Sequence, residues 1–177
     1  LGIRYLDRAA SDFQALQKFG VHSLEDAADA AKLLVVKHFD ELGEGFSKLA
    51  KAGVENLDQA NKLFKGLGEG VKNADDALVA LSKLKKLGAS TPEQAIELMQ
   101  TLIQTNVRTA DQAVELFAKL GIKNLADLDK FMPELEKLSQ LGVNTGPELL
   151  TFIRTLGSRN LKQAVSELAG LEKAGIQ

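Results

Sequence analysis

The sequence predicts an all-α fold, an array of about ten short antiparallel helices joined by tight turns. Three observations support this class. A helix-capping residue recurs at intervals of roughly 17 residues, apolar side chains follow it at helical spacing, and a glycine usually ends the stretch. We expect these units to form an α-solenoid or a compact helical-repeat domain.

The stretch Asn106–Ile122 shows all three features. Thr109 is predicted to be an N-cap and Gln112 its capping-box partner, because each side chain can bond a backbone N–H left free at the helix start. Gly121 is predicted to end the helix, since glycine adopts the left-handed conformation without a Cβ clash. The residues expected on the buried side are Ala110, Ala113, Val114, Leu116, Phe117 and Leu120.

When the units are aligned on their cap residues, the same pattern recurs along the whole chain. A helix of about 13 residues and a turn of about four fit the spacing, and turns this short make successive helices antiparallel. The predicted caps are Tyr5, Ser23, His38, Asn56, Asn73, Thr91, Thr109, Asn124, Thr145 and Asn160.

The unit of His38 departs from the pattern. Val35 stands where other units have glycine, so we expect this helix to continue the preceding one or to join it through a tight bend. Asp40 is chemically the better cap. Gly43 and Gly45 are expected to weaken the helix by about 1 kcal/mol each relative to alanine.

Two other units also depart from it. Asn106 replaces the glycine before Thr109, and asparagine is the next-best residue in that conformation. Pro133 falls inside the unit of Asn124, where it removes a helical hydrogen bond. We therefore expect a kink there, or a short helix followed by a second one over Pro133–Leu141.

Two positions indicate how the helices pack. The fourth residue after the cap is mostly alanine, which lets helix axes approach closely, and the eleventh is mostly leucine. The alanines are Ala9, Ala27, Ala60, Ala77, Ala95, Ala113 and Ala164, and the leucines are Leu34, Leu67, Leu84, Leu102, Leu120, Leu135, Leu156 and Leu171.

Residues 1–177 are predicted to form one helical-repeat domain that is a segment of a longer chain. Leu1–Ile3 and Gly175–Gln177 both resemble the opening of a unit, and natural arrays normally end in polar capping units. The apolar faces at both ends are expected to be uncovered, which would allow self-association. A pair of units has the length of a tetratricopeptide repeat, about 34 residues, but lacks its Trp, so the sequence indicates no known family.

Composition excludes several classes of partner and site. The formal net charge is −2 with both signs mixed, so no basic stripe suited to nucleic acid is present. No apolar run reaches the roughly 18 residues of a membrane span, and residues 1–7 lack the pattern of a signal peptide. Cysteine is absent, which excludes disulfides and cysteine-ligated metals.

Candidate catalytic and cofactor motifs have simpler explanations. The glycine-rich segment Gly66–Gly70 lacks the G-x-G-x-x-G spacing and is better explained as helix termination. Asp75, Asp76 and Asp111 lie in predicted first turns, where acids complement the helix dipole. No G-x-S-x-G motif is present. The sequence therefore identifies no catalytic or cofactor-binding residue, and no cofactor.

The sequence likewise predicts no metal site and no specific partner site. His22 and His38 have no third ligand at metal-binding spacing, so we interpret them as solvated or capping residues and predict no metal site. The basic cluster Lys83–Lys86 lies near a predicted helix C-terminus, where the dipole favours it, with a partner contact as the alternative. The sequence identifies no partner-binding residue.

The function expected from the pattern is a non-catalytic protein–protein interaction scaffold that binds a protein or peptide, since helical arrays present extended surfaces. The alternative is a structural spacer or stalk segment of a large bacterial or phage protein. A second alternative is an enzyme or toxin domain with a non-standard site. Exposed apolar residues on one face would favour the scaffold, and a uniformly polar surface would favour the spacer. A pocket that contains acids with perturbed pKa values would favour the enzyme.

The alignment makes a stability prediction. Ala113→Leu should overpack a helix–helix contact and lower the free energy of unfolding by about 1–3 kcal/mol. Glu115→Gln, at a position predicted to be exposed, should change it by less than about 0.5 kcal/mol. Urea denaturation of the two variants measures both values, and equal effects would show that the alignment is out of register.

Overall fold

The computed structural model describes residues 12–14, 16–36, 39–157 and 160–173, and within them all regular structure is helical, with no strand. This confirms the all-α prediction. Residues 12–14 and 16–17 are helical. The helices that follow in the described chain are α1 (Leu24–Leu34), α2 (Phe39–Lys51), α3 (Leu57–Gly66), α4 (Ala74–Lys86), α5 (Pro92–Ile103), α6 (Ala110–Leu120), α7 (Leu125–Leu128), α8 (Met132–Gln140), α9 (Gly146–Leu156) and α10 (Leu161–Lys173).

Predicted cap side chains start most of these helices. In each, the side-chain oxygen accepts a hydrogen bond from the backbone N–H three residues later, which satisfies a donor that the helix itself leaves free. These caps are Ser23, Asn56, Asn73, Thr91, Thr109, Asn124 and Thr145. The predicted caps Tyr5 and His38 lie outside the described residues, as does the side chain of Asp40.

Two cap predictions need correction. Gln112 does not close a full box with Thr109, because its Oε1 accepts from the N–H of Arg108, one residue earlier, at 2.8 Å. Asn160 uses its side chain differently from the other caps, since its Nδ2 donates to the carbonyl of Leu156 at 3.1 Å. Full reciprocal boxes form at Ser23, Thr91 and Thr145.

The turn residues behave largely as the sequence predicts. Gly121 ends α6 in the left-handed conformation, with φ 69°. Asn106 also takes a positive φ, 65°, and its Nδ2 donates to Ser139 Oγ at 2.8 Å and to the Val143 carbonyl at 3.1 Å. Asn106 therefore does more than replace glycine, because its amide joins the turn after α5 to the last turn of α8 and to the middle of the α8–α9 connection.

Pro133 divides the long unit into two helices. The short helix α7 is followed by α8, which begins at Met132 with Pro133 in its first turn, where a missing N–H costs little. Phe131 precedes α8 without a side-chain cap. The second of the two sequence alternatives is thus confirmed, with bounds one residue earlier than expected.

The core is built from the predicted small and branched positions. Ala27, Ala60, Ala77, Ala95 and Ala113 all have 0% exposure. In α1, Ala30 is buried as well, whereas Ala28 is only half-buried. Ala164 and Leu156 are half-buried, Glu115 is exposed, and Ala9 and the Leu171 side chain lie outside the described part of the chain.

Most packing joins a helix to the helix two places further along. Row A, defined as α2, α4, α6 and α9, packs in that order, each helix on the next. Row B, defined as α1, α3 and α5, does the same, and α8 packs on α10. In row A the short α7 and α8 together take the place of one intervening helix, which is why α6 packs directly on α9.

The two glycines of α2 differ in their surroundings. A Cβ at Gly45 would lie 2.9 Å from Leu34 Cδ1, too close for an undisturbed contact, whereas a Cβ at Gly43 would meet nothing within 4 Å. Gly45 is expected to weaken α2, but its missing Cβ leaves room for α1 to approach α2 closely.

Val35 generates a prediction from its backbone. It follows α1 with φ 56° and is 68% exposed, so a β-branched residue holds a left-handed conformation without a compensating buried side chain. Val35→Gly should raise the free energy of unfolding by about 0.5–1 kcal/mol, the relief of strain less the entropy of glycine. The matched control is Val79→Gly, at a 52% exposed valine inside α4, which should lower it by a similar amount. Thermal and urea unfolding measure the stability of both variants, and destabilisation by Val35→Gly would show that the left-handed conformation of Val35 is not strained.

Candidate partner-binding surfaces

The glycine-rich segment is tied to a neighbouring turn. Gly68 has φ +84°, and a Cβ there would overlap the carbonyl oxygen of Arg108. The N–H of Glu69 donates to that carbonyl at 2.7 Å, and Arg108 Nη1 lies 3.0 Å from Glu69 Oε1. The backbone of this segment therefore meets another backbone at close range, which agrees with a structural use of its glycines.

Two of the three acids singled out in the sequence, Asp75 and Asp111, form ion pairs that join row A helices, whereas Asp76 Oδ2 accepts from the backbone N–H of Lys72 at 3.0 Å. Lys48 Nζ of α2 lies 3.0 Å from Asp75 Oδ1 of α4, and Lys83 Nζ of α4 lies 2.6 Å from Asp111 Oδ1 of α6. Both pairs join the tenth residue of one aligned unit to the second residue of the unit two further on. The side-chain hydrogen bonds of Lys48 to Asp75 and then Glu44 raise the lysine's pKa above its usual value.

Two further acids have shifted pKa values for equally local reasons. The pKa of Asp26 is lowered first by a hydrogen bond from the backbone N–H of His22, and then by its bond with Ser23. The pKa of Asp127 is lowered first by its side-chain bond with Lys130. The first shift therefore arises from helix capping, and the second arises mainly from a neighbouring ion pair.

Of the two histidines, His22 lies within the described residues. His22 is exposed, and its backbone N–H donates to Asp26 Oδ2 at 2.9 Å, while His38 lies outside the described residues. Over the described ranges, no group of three His, Cys, Asp or Glu residues is placed to hold a metal ion. No helix in that same part of the chain has the length and apolar character needed to cross a bilayer.

A groove of about 490 Å³ lies between α3 and α5 of row B. Its floor is Gly66 with Ile96 against it, since a Cβ at Gly66 would lie 2.6 Å from Ile96 Cγ2. Basic residues stand on the α3 side and acidic residues on the α5 side. The lining residues are Lys62, Lys65, Gly66, Glu93, Gln94, Ile96, Glu97 and Gln100.

A second open surface, the α9 face, has a volume of about 510 Å³ and lies on α9 alone. Phe152 and Leu156 form its apolar centre, and both are half-buried. Its border is formed by Pro147, Glu148, Thr151 and Thr155, all exposed.

Sequence reasoning did not identify either surface. The apolar pattern assigned Ile96 and Phe152 to the buried side of their helices, because they occupy the fifth and seventh positions after their caps. One signal was available for the groove, since Gly66 interrupts a helical stretch just before the turn and a mid-pattern glycine often marks a close approach. Comparison with models of protein families, with curated proteins and with solved structures found no match.

The shifted pKa of Asp26 predicts a pH dependence. A carboxyl whose pKa is lowered in the folded state stabilises the fold fully above its pKa in the unfolded chain, about 3.9, and loses that effect as the pH falls through the folded value. Asp26→Asn should therefore be less stable than the wild type near neutral pH, and the difference should shrink in acid. Urea denaturation between about pH 7 and pH 2.5 measures it. A difference that stays constant over this range would show that the carboxylate charge contributes nothing at this cap.

Proposed function

We propose that this chain is a non-catalytic helical-repeat scaffold, an α-solenoid in architecture, that binds a protein or peptide partner. The observation that carries the proposal is the groove between α3 and α5. It combines an apolar floor with charged walls, which is the arrangement expected of a binding surface whose centre excludes water and whose border selects the partner. Packing between helices two places apart supports the solenoid, because it extends such surfaces along a row.

The charges of the groove indicate the kind of segment that fits it. Lys62 and Lys65 stand on one wall, and Glu93 and Glu97 on the other. Lys62 is already 2.6 Å from Asp58, so Lys65 is the stronger candidate for a partner's acid. The proposed ligand is a peptide segment with one apolar side chain over Ile96, an acidic residue toward α3 and a basic residue toward α5.

The proposal of a non-catalytic role is supported by the local roles of the acids. Asp75 and Asp111 each contact a lysine of a neighbouring helix, and Asp26 and Asp127 serve helix starts. The spacer alternative needs no groove, and it becomes the better account if the groove binds nothing.

The test is selection of a random peptide library on the immobilised protein, followed by affinity measurements on the enriched peptides. Ile96→Asp should weaken them by at least about tenfold, because it places a charge on the apolar floor. Ile103→Asp is the matched control, since Ile103 lies on the same helix, is 37% exposed and is outside the groove lining. Circular dichroism checks that both variants stay folded.

Charge reversal separates specific binding from adhesion. Lys65→Glu should convert a preference for acidic peptides into one for basic peptides at that position, since the sign of the α3 wall changes. Failure to enrich peptides, or peptides that respond equally to Ile96→Asp and Ile103→Asp, would overturn the scaffold proposal and favour the spacer.

A further inference from the structure

Lysines from two positions pair with the acid that stands second after a helix cap. In α4 and α6 that lysine is the tenth residue of the aligned unit two places earlier, Lys48 for α4 and Lys83 for α6. In α3 it is the sixth residue of the same unit, because Lys62 Nζ lies 2.6 Å from Asp58 Oδ2. In each of these helices the second-position acid is therefore paired with a lysine from one of two fixed positions.

Glu93 of α5 stands at the second position and has neither lysine. The tenth residue of the unit of α3 is Gly66, and the sixth residue of the unit of α5 is Glu97. Within the described part of the chain, neither glutamate forms an ion pair. Both line the groove between α3 and α5, so its α5 wall carries two acids with no lysine at either of the positions that pair such acids elsewhere.

The helix dipole explains only one of these two acids. Glu93 lies in the first turn of α5, where a negative charge complements the dipole. Glu97 lies one turn later, and like charges four residues apart repel each other and weaken a helix. A cation bound between the two carboxylates would remove that repulsion.

The place of the missing lysine on α3 is apolar. Ile96 lies against Gly66, since a Cβ on Gly66 would be 2.6 Å from Ile96 Cγ2, so a lysine at position 66 would not fit without moving Ile96. Ile96 is half-buried, whereas Glu93 and Glu97 are exposed. A side chain that enters the groove from outside can therefore pack methylene groups on Ile96 and bring a charged end to the acids. A lysine side chain has this construction, with an apolar stem and a charged head.

We propose that the groove binds a partner peptide through one lysine, whose ammonium group lies between Glu93 and Glu97 and whose stem shares Ile96 with the peptide's apolar side chain. This inference rests on the peptide-binding function proposed above and identifies the basic residue of the ligand and its contacts. Acetylation of that lysine removes its charge, so a partner modified in this way would be released.

Lys48 shows that one ammonium group can contact two carboxylates in this fold. Its Nζ lies 3.1 Å from Glu44 Oε1 and 3.0 Å from Asp75 Oδ1. Residues four apart on a helix have Cβ atoms about 5–6 Å apart, so the carboxylates of Glu93 and Glu97 are close enough to reach a single ammonium. Lysine suits this contact because its ammonium is compact and carries three donors.

The test compares two synthetic libraries of peptides about nine residues long on the immobilised full chain. The central residue is lysine in one library and Nε-acetyl-lysine in the other, and the other positions are random but exclude lysine and arginine. Acetylation keeps the stem and removes the charge, so the lysine library should yield the tighter peptides. Each enriched lysine peptide is then made in both forms, and fluorescence anisotropy should show at least about tenfold weaker binding of the acetylated form.

Protein variants locate the lysine. Glu93→Gln and Glu97→Gln should each weaken the lysine peptides by at least about threefold, and the double variant by at least about tenfold, because each change removes one carboxylate charge. Glu115→Gln is the matched control, since Glu115 is an exposed helical glutamate outside the groove lining, and it should leave the affinity unchanged.

Glu97→Lys supplies the missing cation from within the protein. It recreates in α5 the pair that Asp58 and Lys62 form in α3, so it should raise Tm by about 1–2 °C while it weakens the lysine peptides by at least about tenfold. Thermal unfolding followed by circular dichroism and anisotropy measure both effects on the same variant. The rise in Tm shows that the loss of binding does not come from unfolding.

Two results would overturn this proposal and leave the scaffold function standing. The first is a set of peptides that need Ile96, as judged by Ile96→Asp, but bind equally with lysine and acetyl-lysine. The second is lysine-dependent binding that the double variant of Glu93 and Glu97 leaves unchanged, since the ammonium would then contact another acid.

Two other results would have wider consequences. A concentration-dependent dimer that analytical ultracentrifugation detects and Glu93→Gln dissociates would assign the groove to a second copy of this chain instead of a partner peptide. Absence of any peptide whose affinity falls with Ile96→Asp would overturn this proposal and the scaffold function together.

Discussion

Close approach of helices two places apart is the constraint on which the rest of this structure depends. Helix axes can come near each other only where the residues between them are small, and Ala77, Ala95 and Ala113 supply this in successive helices with no exposed surface. Glycine takes the role where the approach is closer still, as at Gly66 beneath Ile96. The spacing of the helices within each row, and hence the groove between two such helices, follows from these few side-chain volumes.

Short helices are compatible with this packing because the free backbone N–H groups at their starts are hydrogen-bonded by nearby capping side chains. A helix of 10 to 13 residues, such as α3 or α4, exposes a large share of its backbone donors at its start. Capping side chains bond those donors within the same turn, so the helix needs no neighbour to complete its backbone. Its apolar sides are then available to pack on helices both before and after it, which is what a row requires.

The ion pairs between Lys48 and Asp75 and between Lys83 and Asp111 have a different role. Exposed pairs of this kind contribute little to stability, because solvent screens the two charges, so they do not hold the rows together. Their identical register instead favours one alignment of successive row A helices over a shifted one. The pairing stops at α9, whose second position is Pro147, and Lys119 lies near Glu115 of its own helix. The ion pairs between row A helices therefore end at α6, and the next helix of the row, α9, carries the apolar α9 face.

The sequence by itself determined the class, the positions of most helices and their caps. These features depend on chemistry within a few residues: Thr109 bonds an N–H three residues later, Gly121 adopts a left-handed conformation, and Pro133 lies in the first turn of a separate helix. The relation of Asn106 to Ser139 and Val143 was not predictable in this way, because it joins residues more than 30 positions apart.

Only the tertiary structure decided which apolar positions are covered. Leu116 and Phe152 occupy the same position after their caps, and the periodic pattern assigns both to the buried side. Leu116 is fully buried, whereas Phe152 is half-buried on an open face. Helical periodicity specifies the side of a helix that prefers to leave water, but burial also needs a neighbour, and the neighbours of these helices lie two elements away along the chain.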